Sequence, residues 1–95
     1  SGAGAWAWDA AGLDWQGNEV TLIHDGKTLR IDRLVRRRES GAWWVLDYKS
    51  AAGPENDPEK IAQLQRYREA VQNAYPGEPV RAAFLTGQGE LVPVA

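Results

Sequence analysis

The order of elements between Trp43 and Thr86 sets the fold. Trp43-Trp44-Val45-Leu46-Asp47-Tyr48-Lys49 is aromatic and apolar and reads as a strand. Asp57-Pro58 then starts a helix, because Asp caps free amides and Pro tolerates the first helical position. Ile61, Leu64, Tyr67, Val71 and Ala74 recur at helical spacing as far as Tyr75, and Pro76-Gly77 ends the run. Val80 to Thr86 is almost continuously apolar, as expected of a strand buried on both faces. A strand–helix–strand unit of this kind closes as a right-handed crossover with its two strands parallel.

The flanking sequence extends the sheet. Glu19 to His24 and Lys27 to Arg37 alternate as strands around Asp25-Gly26, a strong two-residue hairpin signal. Ser40-Gly41 turns the chain into Trp43–Lys49, and Gly87-Gln88-Gly89 turns it into a last strand, Leu91 to Val94. The residues between Ala51 and Pro58, with Gly53, Pro54, Asn56 and Asp57, read as a loop. The expected architecture is α/β: a mixed sheet in the order β-β-β-α-β-β with one main helix. Residues 1–18 are read as an N-terminal extension, partly disordered, ahead of a core at 19–95. Trp6 and Trp8 alternate with alanine there, which is the pattern of a short strand, and Ser1-Gly2-Ala3 looks like a cloning remnant.

One helix covers one face of such a sheet. The central strand is apolar on both, with Trp44, Leu46 and Tyr48 on one side and Trp43 and Val45 on the other. The second face is therefore uncovered, or covered by residues 1–18, by a partner or by chain outside this sequence, the last being the expectation. Trp43, Trp44, Tyr48 and Phe84 are expected in the core, and His24 beside its turn on the surface.

Composition removes several function classes. A chain of 95 residues with 43% apolar and 25% charged residues makes one small globular domain. No apolar run approaches the ~18 residues of a membrane span, so no membrane partner is expected. Without cysteine and with only His24, there is no thiolate nucleophile, no cysteine-bound metal and no multi-histidine site. The net charge of −2 hides a basic stripe: six of the eleven basic residues lie between Lys27 and Arg38. Such a stripe suits a phosphate backbone, or an edge strand that resists aggregation.

Carboxylates and lysine remain to carry chemistry. Asp47 and Lys49, two apart on a strand, project from one face. Asp32 lies on the neighbouring strand, and an even-numbered loop at Ser40-Gly41 puts Asp32 and Asp47 on the same face, within reach of one cation. Two adjacent carboxylates repel unless a cation or protons compensate, and Mg²⁺ takes one or two carboxylates with waters and substrate phosphate. Asp, Asp and Lys so placed are a minimal set for metal-assisted phosphodiester hydrolysis. The plainer reading of Asp47 and Lys49 is a surface ion pair.

Ile31-Asp32-Arg33, then Asp47-Tyr48-Lys49-Ser50, then Gln63 and Tyr67 on the following helix resemble the RecB-like branch of the PD-(D/E)XK nuclease superfamily, with I-D-R, D-Y-K-(T/S) and Q-x-x-x-Y in that order. The resemblance runs from about Glu19 to Thr86. It implies a restriction-endonuclease-like core with Asp32 and Asp47 as catalytic metal ligands, the Tyr48 backbone carbonyl as a third ligand, and Lys49 as the catalytic lysine. Mg²⁺ is the implied cofactor, with Mn²⁺ as an alternative. Gln63 and Tyr67 would contact DNA, joined by Arg30, Arg33 and Arg36 of the basic stripe.

The implied enzyme is a cytoplasmic, exonuclease-type module of a RecB- or AddA-like DNA-repair helicase–nuclease, partnered by DNA and by the helicase domains of its parent chain. The family also carries an acidic or histidine-bearing helix upstream of these strands. Residues 1–18 show none, so the sequence reads as an excerpt that begins after it. A nuclease-like domain with an incomplete site, acting in DNA binding or interdomain contacts, is the alternative.

Overall fold

The computed structural model describes residues 4–50, 53 and 56–94. Ser1–Ala3 and the 51, 52, 54 and 55 positions of the expected loop lie outside them. Five strands form one sheet in sequence order: β1 (Leu13–His24), β2 (Lys27–Arg37), β3 (Trp43–Lys49), β4 (Val80–Thr86) and β5 (Leu91–Val94). A single α-helix, α1 (Pro58–Ala74), connects β3 to β4, which pair in parallel; the other neighbours are antiparallel. The expected mixed β-β-β-α-β-β sheet is what forms. Among the described residues no helix is long and apolar enough to cross a membrane.

Local chemistry accounts for the boundaries. Asp25 and Gly26 both take positive φ, 51° and 74°, as a tight two-residue hairpin requires. The Asp57 carboxylate accepts the amides of Glu59 (3.0 Å) and Lys60 (3.4 Å), and Pro58 occupies the first turn of α1. The helix ends at Ala74, and the Tyr75 amide closes it on Val71 O. Between β2 and β3 the ladder runs from Arg33↔Leu46 to Arg36↔Trp43, and the Arg37 amide donates to Ala42 O. The intervening loop holds an even number of residues, so the parity condition for Asp32 and Asp47 is met.

β1 begins at Leu13, not at Glu19. Its first half, Leu13–Asn18, is Gly-containing and polar and lies on an edge strand, where apolar alternation carries no signal. A bulge lies between Leu13 and Trp15. Trp6 and Trp8 do not form a strand: Ala5–Trp8 and Ala10–Gly12 are short 3₁₀ turns.

The core has two sides. Under α1, Leu34, Trp43, Val45, Ala82 and Phe84 pack with Leu64 and Val71 of the helix. On the opposite side Val35, Leu46, Ala83 and Leu85 pack with Ala7, Leu13, Trp6 and Trp44. The described part of the N-terminal segment therefore covers much of the second face, where sequence reasoning favoured additional chain. It is tied down at both ends: the Gly4 amide donates to Gly89 O (3.1 Å), and the Arg38 amide donates to Gly12 O (2.9 Å). Between them Arg33, 2% exposed, donates through Nε and Nη2 to Ala7 O (3.0 and 2.8 Å).

Candidate active site

Alternation along β3 sends Trp43, Val45, Asp47 and Lys49 to the helix side and Trp44, Leu46 and Tyr48 to the other. Asp47, next to last in this row, is only 6% exposed. One step past the last paired positions, Arg33 and Leu46, Asp32 stands opposite it. There β2 leaves the regular pattern. Ile31 joins Leu34 on the helix side while Arg33 and Val35 serve the other, and Glu19 of β1, between the paired Asn18 and Val20, takes a φ of +50°. Asp32 Oδ2 accepts the Tyr48 amide at 2.9 Å and so clips the diverging strand to β3.

Three groups expected from the sequence thus converge. Lys49 Nζ is 3.0 Å from Asp47 Oδ2. Despite that proximity, Asp47 Oδ2 is buried and has no hydrogen-bond partner of acceptable geometry among the described residues. Burial first, then the adjoining Asp32 carboxyl, push the Asp47 carboxyl up to about 6, against the pull of Lys49. In an extended strand the N–H and C=O of one residue face the same neighbour. The Tyr48 carbonyl is accordingly directed toward the β2 side, beyond the point where that ladder stops.

Among the described residues no three His, Cys, Asp or Glu side chains gather into a metal site. The donor set here is two carboxylates with a strand carbonyl alongside. A buried carboxylate oxygen without a partner, beside a second carboxylate, fits a hard divalent cation that keeps several waters.

Gln63 and Tyr67 lie one turn apart on α1, and Gln63 Nε2 donates to Tyr67 Oη at 3.0 Å. The Tyr67 ring leans on the helix-side core, so the pair belongs to the element covering the face from which Asp47 and Lys49 project.

The basic stripe requires correction. Arg33 is not available to a phosphate: besides Ala7 O it donates to Asn18 Oδ1 (2.8 Å) and Gln16 Oε1 (2.7 Å), so its charge is spent on holding the N-terminal segment. Arg36 is ion-paired with both Asp14 and Glu78 and faces Trp43, about 13 Å along the strand from Asp47. Arg37 lies over the Trp6 ring, and Arg38 donates to Leu13 O. Arg30 remains accessible, its side chain 70% exposed and 3.8 Å from Glu19.

Two other expectations change. Tyr48 is not a core residue, being 41% exposed at the strand end where the N-terminal cover thins. His24 is largely covered, its ring between Asp25 and Asn73. Nothing in the periodicity of residues 4–12 announced that Ala7 and Trp8 would meet Arg33. The only available hint was the unbalanced apolar face of β3.

A family model described as the PD-(D/E)XK nuclease superfamily matches residues 19–92. A search among curated proteins returned no match.

Proposed function

The chain belongs to the PD-(D/E)XK nuclease superfamily, and on that premise we propose that it hydrolyses phosphodiester bonds of DNA as the exonuclease-type module of a larger cytoplasmic helicase–nuclease in DNA repair. The observation that carries this reading is the convergence of Asp32, Asp47 and Lys49 at the end of β3. The ordered I-D-R, D-Y-K-S and Q-x-x-x-Y motifs support the RecB-like context.

PD-(D/E)XK nucleases typically use divalent metal ions, and Asp32, Asp47 and the Tyr48 carbonyl are the groups that would hold Mg²⁺, or Mn²⁺ in its place. The bound ion supplies an acidified water and neutralises phosphate charge. The protein's own share is positional. Asp47, buried and fixed on a strand, presents its unpartnered oxygen without reorganisation. Lys49, whose Nζ lies 3.0 Å from Asp47 Oδ2, would face charge building on the phosphate oxygens. Gln63 and Tyr67 on α1 steady the strand from the helix side, and Arg30, exposed and only weakly paired with Glu19, offers a phosphate contact.

The test is cleavage of end-labelled linear DNA with Mg²⁺ or Mn²⁺. The wild-type chain shortens the DNA from its ends, Asp47→Ala and Lys49→Ala lose at least ~100-fold in rate, and a chelator abolishes the activity. Equal digestion by wild type and Asp47→Ala would remove this reading.

A further inference from the structure

Trp8 and Tyr48 stack with ring centroids 6.0 Å apart and planes 16° from parallel, yet 53% of Trp8 and 41% of Tyr48 stay exposed. The indole is held from behind, with the Arg33 guanidinium 4.1 Å from its ring centre and locked to Ala7 O. It is therefore a preset surface and not a loose side chain. Two hollows meet at Tyr48. One, about 230 Å³, lies between Trp8 and Gly89; the other, about 280 Å³, is walled by Lys49 and Ser50. Tyr48, Leu85 and Thr86 line both, so the hollows form one trough from Lys49 past Tyr48 to Trp8.

We propose that this trough seats an unpaired nucleobase of the substrate strand, packed against the exposed parts of Trp8 and Tyr48, with an adjoining phosphate directed round the end of β3 toward Lys49. The identity of the ligand rests on the nuclease reading above. The trough itself adds the rest: aromatic faces at one end, a lysine at the other, and a floor of Leu85. A polyanion carrying flat apolar rings matches that sequence of surfaces, which neither a purely apolar nor a purely anionic ligand does. The Thr86 hydroxyl already accepts the amides of Gln88 and Glu90, so the seat has little with which to read base edges. It accepts any base, provided the base is unpaired. A base within a duplex is stacked on its neighbours and cannot enter, so the trough favours single strands and frayed ends.

The experiment measures binding of a short labelled single-stranded DNA with a chelator present, so that no cleavage occurs, and then of the same strand carrying one abasic position moved along it. Trp8→Ala is expected to weaken binding of the intact strand about tenfold, and Trp8→Phe to restore most of it. One abasic position weakens wild type by a similar factor and leaves Trp8→Ala indifferent. Circular dichroism checks that each variant is folded. Unchanged affinity in Trp8→Ala, or abasic sensitivity that persists in it, overturns the proposal. If cleavage and affinity both survive Trp8→Ala, the seat is wrong and the nuclease reading stands. Base-dependent binding by a protein that cuts no DNA leaves the seat and removes the nuclease reading.

Discussion

Lys49 Nζ lies 3.0 Å from Asp47 Oδ2, and that oxygen nevertheless has no hydrogen-bond partner among the described residues. A lysine that settled the carboxylate fully would hold its pKa down. Instead burial and the neighbouring Asp32 prevail, and the group rises to about 6. Lys49 offsets only part of the cost of ionising Asp47 beside Asp32, which is consistent with the proposed role of the two acids as cation ligands.

The remaining cost has a signature in metal-free protein. The unfolded Asp47 ionises near 3.8 and the folded one near 6. Between those values the folded state binds more protons than the unfolded, so the stability contribution of this group falls as pH rises through the window and stays low above it. Asp47→Asn removes the dependence. In chelator, its unfolding free energy is expected to exceed that of wild type at pH 8 by up to about 3 kcal/mol, with the two converging toward pH 4. Denaturation curves across that range check it, and a wild type that gains on Asp47→Asn with rising pH contradicts it.

Arg33 is a structural cation. Arg33→Ala leaves Ala7 O, Gln16 and Asn18 without their donor and frees the cover over Val35 and Leu46. A loss of about 2–4 kcal/mol in urea unfolding is expected. Arg33→Lys recovers little of it, because a single ammonium cannot reproduce the forked contacts. A neutral effect of Arg33→Ala would show that the N-terminal segment is held by apolar packing alone.

Arg30 is the opposite case. Its side chain is exposed and weakly paired, so Arg30→Ala should shift stability by less than about 0.5 kcal/mol. DNA affinity should fall, and the slope of log affinity against log salt should drop by about 0.7–0.9. Affinity measured at several salt concentrations decides this, and an unchanged slope excludes Arg30 from the phosphate contacts.

The sheet was readable from the sequence because its inner strands carry the signals that physics makes strong. Asp25-Gly26 demands a tight hairpin, Asp57-Pro58 starts α1, and the apolar run of β4 needs cover on two sides. The approach of Asp32 to Asp47 was readable for a related reason: strand parity is arithmetic once a turn is placed. The outer and N-terminal features were not. Leu13–Asn18 lies on an edge strand, where half the residues face solvent and alternation decays. The fate of Arg33 and Arg36 depended on partners 15 to 42 positions away in sequence, Asn18, Ala7 and Glu78 among them. Charge counts see a basic stripe, whereas the fold spends most of it internally.

The cation seat itself is most directly tested at the Tyr48 amide, whose proton is held by Asp32 Oδ2 between the two acids. Titrating Mg²⁺ to millimolar concentration while following backbone amide resonances should give saturable shifts centred on Asp32, Asp47, Tyr48 and Lys49, absent in Asp47→Asn and reversed by chelator. Shifts spread evenly over the acidic surface, or none at these four amides, would contradict the account.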